Sequence, residues 1–198
     1  MKRKSYFNKV AGTWDERFST PALTTFLENL IPHFGLKPGQ NILDIGTGTG
    51  ILIPFLLQAI GPTGSITGID YAEKMVQICQ SKYAHLKNVT ILLQNVEKLN
   101  LPSEYFDAVT CFGLFPHLEN KKQTLSKIHQ LLKHRGKLII AHALSSAEIE
   151  SHHSMSLAVA YDVLPKKQEM RRLLQCAGFI QISIEDKPGY YLCFSIKP

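Results

Sequence analysis

Ile42-Leu43-Asp44-Ile45-Gly46-Thr47-Gly48-Thr49-Gly50 is the stretch that decides the fold. A short apolar run of β-formers ends in three glycines at alternate positions. A helix is expected next, from about Gly50 to Ala59, with Pro54 tolerable only in its first turn, where the missing N–H matters little. Glycines let the backbone take dihedrals closed to other residues and let a ligand approach without a Cβ in the way. The helix start adds N–H groups that can hold a ligand carboxylate.

Outward from that stretch, short β-type runs alternate with helical segments, the pattern of a parallel α/β sheet. Gly61-Pro62-Thr63-Gly64 breaks the chain. Residues 65–70 read as the second strand and 72–82 as its helix, with Met75, Ile78 and Cys79 on one face. Residues 89–93 and 106–112 read as the third and fourth strands. Residues 120–132 form a helix with Leu125, Ile128, Leu131 and Leu132 on one face, ended by Arg135-Gly136, before a fifth strand at 137–142. After a polar insertion at 143–164 comes a helix at 166–177, stopped by Gly178. Two final strands, 179–186 and 190–197, are joined by Lys187-Pro188-Gly189, too short for anything but an antiparallel hairpin. The expected architecture is a Rossmann-like, doubly wound, seven-stranded mixed sheet of the α/β class with a C-terminal antiparallel hairpin. At 198 residues it is expected as one domain, with 1–35 as an N-terminal head or lid segment and 143–164 as the insertion.

Composition excludes several classes. Hydrophobic residues make up 44%, enough for a globular core. No apolar run approaches the roughly 18 residues of a membrane span. The basic start, Met1-Lys2-Arg3-Lys4, has no long apolar segment after it and reads as a frayed terminus rather than a secretory signal. The net charge is +6, but its clusters at Lys121-Lys122, Lys166-Lys167 and Arg171-Arg172 do not form the aromatic-interleaved stripe of a nucleic-acid surface. The four cysteines, Cys79, Cys111, Cys176 and Cys193, form no CxxC pair and lie in apolar contexts. They are expected to be buried thiols of a cytoplasmic protein.

Asp70 ends Ile66-Thr67-Gly68-Ile69-Asp70, 20 residues after Gly50 (70 − 50). In a doubly wound fold that puts a carboxylate at the tip of the neighbouring strand, able to accept from both hydroxyls of a ribose. A nicotinamide enzyme would use the same pair of devices, but its GxGxxG spacing needs glycine where Ile51 stands. Asp44, just before the loop, disfavours a pyrophosphate and suits a ligand carrying an ammonium and a sulfonium.

These residues resemble class I S-adenosylmethionine-dependent methyltransferases. Residues 42–50 resemble the first motif and Gly68-Ile69-Asp70 the second. Gln94-Asn95-Val96-Glu97-Lys98-Leu99-Asn100-Leu101-Pro102 resembles the third, with Asn95 where an acidic residue commonly meets the adenine amino group; an amide oxygen can accept the same bond. Residues 106–117 resemble the fourth motif and its loop, and 136–140 the fifth strand. The head, Tyr6-Phe7-Asn8-Lys9-Val10-Ala11 with Trp14-Asp15, is similar to the ubiquinone/menaquinone C-methyltransferase-like group. The resemblance implies S-adenosyl-L-methionine as cofactor, with Asp44, Gly46, Thr47, Gly48 and Gly50 in the loop. Asp70, Tyr71, Asn95, Val96 and Phe112 complete the implied cofactor residues.

Methyl transfer needs position and a dry site more than a dedicated catalytic triad, because the cofactor carries the activated group. A base is required only if the acceptor is protonated. The resemblance implies that a small-molecule acceptor lies near residues 112–117, and His117 is a candidate base because imidazole titrates near neutral pH. The 151–191 stretch resembles a prokaryotic branch that shares an insertion histidine, which makes His152 the second candidate, and an Asp162-Val163-Leu164-Pro165 step. The head aromatics Tyr6, Phe7 and Trp14 are expected either to close with the insertion over the acceptor or to cap the core. His142, His152-His153 and Glu148 or Glu150 match no standard metal spacing, so no metal is expected. Two other functions use the same motifs: a non-catalytic methyltransferase-like subunit that binds cofactor or a protein partner, and a nicotinamide-dependent oxidoreductase.

Overall fold

The structure, a computed structural model, describes residues 2–155 and 157–198. Met1 of the basic start and Ser156 of the insertion lie outside the described residues. The chain divides into two compact units, Met1–Lys98 and Leu99–Pro198.

In the first unit, β1 (Asn41–Ile45), β2 (Ser65–Asp70) and β3 (Val89–Leu93) run parallel in the order β3-β2-β1. Ile42, Leu43, Ile45, Ile66 and Ile69 are all buried, the near-continuous apolar run of strands covered on both faces. The helix after the glycines, α4 (Ile53–Ile60), starts three residues later than expected. Gly50 N–H donates to Thr47 O at 2.8 Å and Ile53 N–H to Gly50 O at 3.2 Å, so tight three-residue turns occupy the interval. Pro54 falls in the first turn of α4, as its missing N–H requires.

The basic start is not a frayed tail. Arg3 and Lys4 lie in α1 (Lys2–Val10), which leads through a 3-10 turn at Ala11–Thr13 into α2 (Trp14–Phe18) and α3 (Pro21–Leu30). α1 is pinned to α5 (Glu73–Tyr83): Lys4 pairs with Glu73, Asn8 Nδ2 donates to Glu73 Oε2 at 2.8 Å, and Lys74 N–H donates to Asn8 Oδ1 at 3.0 Å. No periodicity in this polar segment announces these contacts.

In the second unit, β4 (Phe106–Phe112), β5 (Leu132–His142), β6 (Ile180–Lys187) and β7 (Tyr190–Ile196) lie in the order β4-β5-β7-β6. β4 and β5 are parallel, and both pairings of β7 are antiparallel. The described strands therefore make the seven-stranded mixed α/β class expected. α6 (Lys121–Leu131) buries Leu125, Ile128 and Leu131 completely. It passes directly into β5, five residues before the expected start, because Arg135 N–H donates to Lys197 O at 3.0 Å and Lys197 N–H to Gly136 O at 2.9 Å. These bonds lengthen the pairing beyond what Arg135-Gly136 suggests.

The insertion carries α7 (Ser146–Ser154), and α8 (Lys167–Cys176) follows it. Ser145 and Glu148 form a reciprocal capping box at the start of α7. Glu148 Oε2 also accepts from Gly189 N–H at 2.8 Å, so this residue, weighed above as a metal ligand, ties the insertion to the β6–β7 turn. All four cysteines are free; Cys79, Cys111 and Cys193 are buried, but Cys176 is exposed, contrary to expectation, because it ends α8 on the outer face. Among the described residues, no helix is long and apolar enough to cross a membrane.

Candidate functional site

The glycine turn is clasped to the end of β2. Gly46 and Thr47 N–H both donate to Ile69 O, at 2.8 and 3.0 Å. Asp70 stands at that strand end; its Oδ2 accepts from Gly48 N–H at 3.1 Å and its Oδ1 from Ala72 N–H at 2.8 Å. A carboxylate offers about four lone-pair directions, so backbone donors on both oxygens fix the group's orientation. Burial is the largest influence on Asp70 and raises its pKa, against the lowering effect of the Ala72, Gly48 and Tyr71 N–H groups.

The glycines differ in purpose. At Gly48, with φ +55°, an added Cβ would meet nothing closer than Gly46 O and Trp14 Nε1, both at 4.0 Å. At Gly50, with φ +86°, the Cβ would lie 2.4 Å from Tyr83 Cε2 and 2.8 Å from Cys79 Sγ. The first glycine keeps a space open; the second lets α5 pack against the turn. Asp44, 2% exposed, precedes them. Burial pushes the Cys79 thiol up to about 12, and the charge of Asp44 reinforces it.

The remaining first-unit residues singled out from sequence are placed as follows. Tyr71 directly follows Asp70, and its ring lies 6.4 Å from that of Phe7. Thr47 and Val96 are buried. Asn95 is exposed, and its Oδ1 accepts from Glu97 N–H at 2.9 Å, so the amide oxygen already serves a local turn.

Sequence reasoning missed Asp15 and Lys82. Thr49 Oγ1 donates to Asp15 Oδ1 at 2.6 Å, Lys82 pairs with Asp15, and Lys82 Nζ donates to Thr49 O at 3.1 Å. These residues join the head, the glycine turn and α5, and no local pattern links positions so far apart. Two of the head aromatics pack on the core: Phe7 and Trp14, with Val10 and Ile78, lie against buried Ala11, Ala72 and Met75. The Trp14 ring lies 4.4 Å from that of Phe18.

In the second unit, half-buried Phe112 ends β4, and His117 follows in a 3-10 turn at Phe115–His117. Lys121 Nζ donates to Pro116 O and Leu118 O, both at 3.0 Å, on either side of His117. His117 Nδ1 lies 2.8 Å from Asp162 Oδ2, with side chains 10% and 2% exposed. His153, not His152, completes the group: its Nδ1 lies 2.5 Å from Asp162 O and its ring centroid 4.9 Å from that of His117. His152 is exposed on α7. His142 is buried at the end of β5, and burial, aided by His117 and His153, holds its pKa down to about 3. Its Nε2 and the hydroxyl of Tyr191, its partner on β7, have no hydrogen-bond partner among the described residues. The Asp162 step was visible in the sequence, but its pairing with His117 across 45 positions was not.

Residues 36–178 match the family described as Methyltransferase domain. The chain is 31% identical over 177 residues to the ubiquinone/menaquinone biosynthesis C-methyltransferase UbiE of Hydrogenovibrio crunogenus, covering 83% of this chain and 67% of that one. Against the UbiE of Psychromonas ingrahamii it is 31% identical over 136 residues, covering 67% of this chain and about half (53%) of the relative. Among solved structures, a SAM-dependent methyltransferase from Aquifex aeolicus superposes with a TM-score of 0.72 at 23% identity, covering 98% of each chain. The chain belongs to the methyltransferase-domain family, in the class I S-adenosylmethionine-dependent group similar to UbiE. It is an enzyme, and its cofactor is S-adenosyl-L-methionine.

Proposed function

We propose that this enzyme methylates a small-molecule acceptor, holding S-adenosyl-L-methionine in its first unit and using His117 of its second as the base. The observation that carries the cofactor half is the double clasp of Asp70 by Gly48 and Ala72 N–H. It presents one carboxylate to two vicinal ribose hydroxyls. Gly46, Thr47 and Gly48 line the approach, Gly50 sets the turn by packing on α5, and buried Asp44 attracts the ammonium of the methionine part. Tyr71 and Val96 flank the adenosine, and Asn95 keeps one lone pair for the adenine amino group; Phe112 of the second unit is a further cofactor residue. When bound, the cofactor supplies an electrophilic methyl on a sulfonium. The chain's own work is to orient it, exclude water and receive a proton.

The relatives named for ubiquinone/menaquinone biosynthesis and for demethylmenaquinone methylation support a small acceptor. The insertion acts through His153, with His152 on its outer face. Residues 1–198 are proposed as one methyltransferase domain, with 1–35 as its head segment and 143–164 as its insertion. The four unlinked thiols support a cytoplasmic setting.

Calorimetry tests the reading. S-adenosylmethionine and S-adenosylhomocysteine should both bind, while NAD and NADP should not. Binding of neither methyl-cycle ligand would favour a non-catalytic subunit, and binding of NAD would favour an oxidoreductase.

A further inference from the structure

Resting on the reading of His117 as a base, we propose that Asp162 is its positioning residue, fixing the tautomer whose Nε2 takes a proton and so restricting the enzyme to acceptors that lose one. A carboxylate accepts and does not donate. With Asp162 Oδ2 at 2.8 Å, Nδ1 of His117 carries the hydrogen and Nε2 the lone pair. The carboxylate comes from the insertion, so the insertion supplies part of the proton-transfer apparatus as well as bulk.

The neighbouring imidazoles sharpen this. Asp162 O is a carbonyl and can only accept, so Nδ1 of His153 is a donor and the backbone at Asp162 is held in place. The His153 ring lies tilted against that of His117, at an interplanar angle of 35°. Burial lowers the pKa of His153 and, more strongly, that of His142. Both stay neutral at physiological pH. Of the three rings, His117 is the one whose nitrogen faces the Asp162 carboxylate.

The step balances for a hydroxyl acceptor. Its O–H proton passes to Nε2 of His117. The oxygen's electron pair forms the new bond to the methyl carbon. The carbon–sulfur pair returns to sulfur, and the sulfonium becomes a neutral thioether. An electron-rich ring carbon reacts the same way, losing a C–H proton. Thioethers and tertiary amines have no proton to give and gain nothing from the pair.

The test is imidazole nitrogen NMR on the full chain, 15N-labelled at histidine, with His117 assigned by His117→Gln. Wild type should show His117 as the Nδ1–H tautomer. Asp162→Ala should convert it to a mixture while leaving the His153 signature, which depends on a backbone carbonyl, in place as a check on local folding. An Nε2–H tautomer in the wild type, or an unchanged tautomer in Asp162→Ala, overturns the proposal; the first needs no variant to fold. A kinetic arm measures S-adenosylhomocysteine release with catechol and demethylmenaquinol as probes. Asp162→Ala should lower kcat about 100-fold with KM little changed, within the range of general-base contributions. If the tautomer shifts in Asp162→Ala but His117→Gln keeps the wild-type rate, the base reading and the acceptor restriction fall, and the Asp162–His117 positioning stands by itself.

Discussion

Thr49 gives its hydroxyl hydrogen to Asp15 at 2.6 Å, so the glycine turn is held by a residue 34 positions before it. Lys82 pairs with the same carboxylate and donates to Thr49 O. Asp15→Ala should loosen the head from the turn. Because Asp15 and Lys82 are each about one-third exposed, the ion pair itself contributes little. The loss in stability should be about 1 kcal/mol, from the hydrogen bond. Hydrogen exchange should show lost protection in both 11–18 and 47–52; loss in only one segment would mean that they are not coupled.

Asp70→Asn keeps the shape and removes the charge. Cofactor affinity should drop by about 1.5–3 kcal/mol, the range for hydrogen bonds to a charged group. The pH dependence has a defined sign. Cofactor binding uses the ionised carboxylate, so affinity is full above the folded pKa and falls as pH drops through it. Burial raises that pKa, so the decline begins above the ordinary value of about 3.9. The apo fold responds in the opposite direction, since a raised carboxylate pKa favours folding on acidification. Calorimetry over a series of falling pH should find a declining affinity in wild type and a flat one in Asp70→Asn.

Gly48→Ala and Gly50→Ala separate two uses of glycine. The Gly50 Cβ would run into Tyr83 and Cys79, and overpacking of this kind costs about 1–3 kcal/mol. The Gly48 Cβ has room and bears only the left-handed backbone penalty of roughly 1–2 kcal/mol. Gly50→Ala should therefore lower Tm further. Gly48→Val should abolish cofactor binding in a chain whose circular dichroism is still native. Equal Tm losses for the two alanine variants would refute the division of roles.

His142 should make the fold acid-sensitive. Its folded pKa, about 3, lies below the unfolded value of about 6.5, so the folded state resists the proton that the unfolded state accepts. Stability is full above about 6.5 and is lost progressively as pH falls from there toward 3. At pH 5 the loss is about 2 kcal/mol. His142→Gln should flatten urea-unfolding free energies between pH 7 and 5; an unchanged slope would place the acid sensitivity elsewhere.

The parallel strands were legible because buried strands leave near-continuous apolar runs, as at residues 42–45, broken by Asp44, and 106–112, broken by Asp107 and Thr110. The hairpin was legible because Lys187-Pro188-Gly189 is too short to cross a sheet. The head was not: α1 and α2 are polar and short, and they are held by Asn8, Lys4 and Asp15 reaching partners far along the chain. Asp70 and the glycines could be read from spacing, since strand tips and turns are local. His153 and Asp162 could not, because their meeting with His117 depends on how the insertion folds back.

The insertion is fastened at both ends. Glu148 holds its start to Gly189 and Ser146 holds it to Asp186, and His153 with Asp162 holds its far side. The bend that joins these anchors leaves Met155, Leu157 and Tyr161 at 78%, 98% and 93% exposure. Strain introduced there has nowhere to travel. Laboratory variation should accumulate in that bend at little cost, and a fluorophore or a short peptide grafted at Leu157 would ride on the enzyme as a passenger.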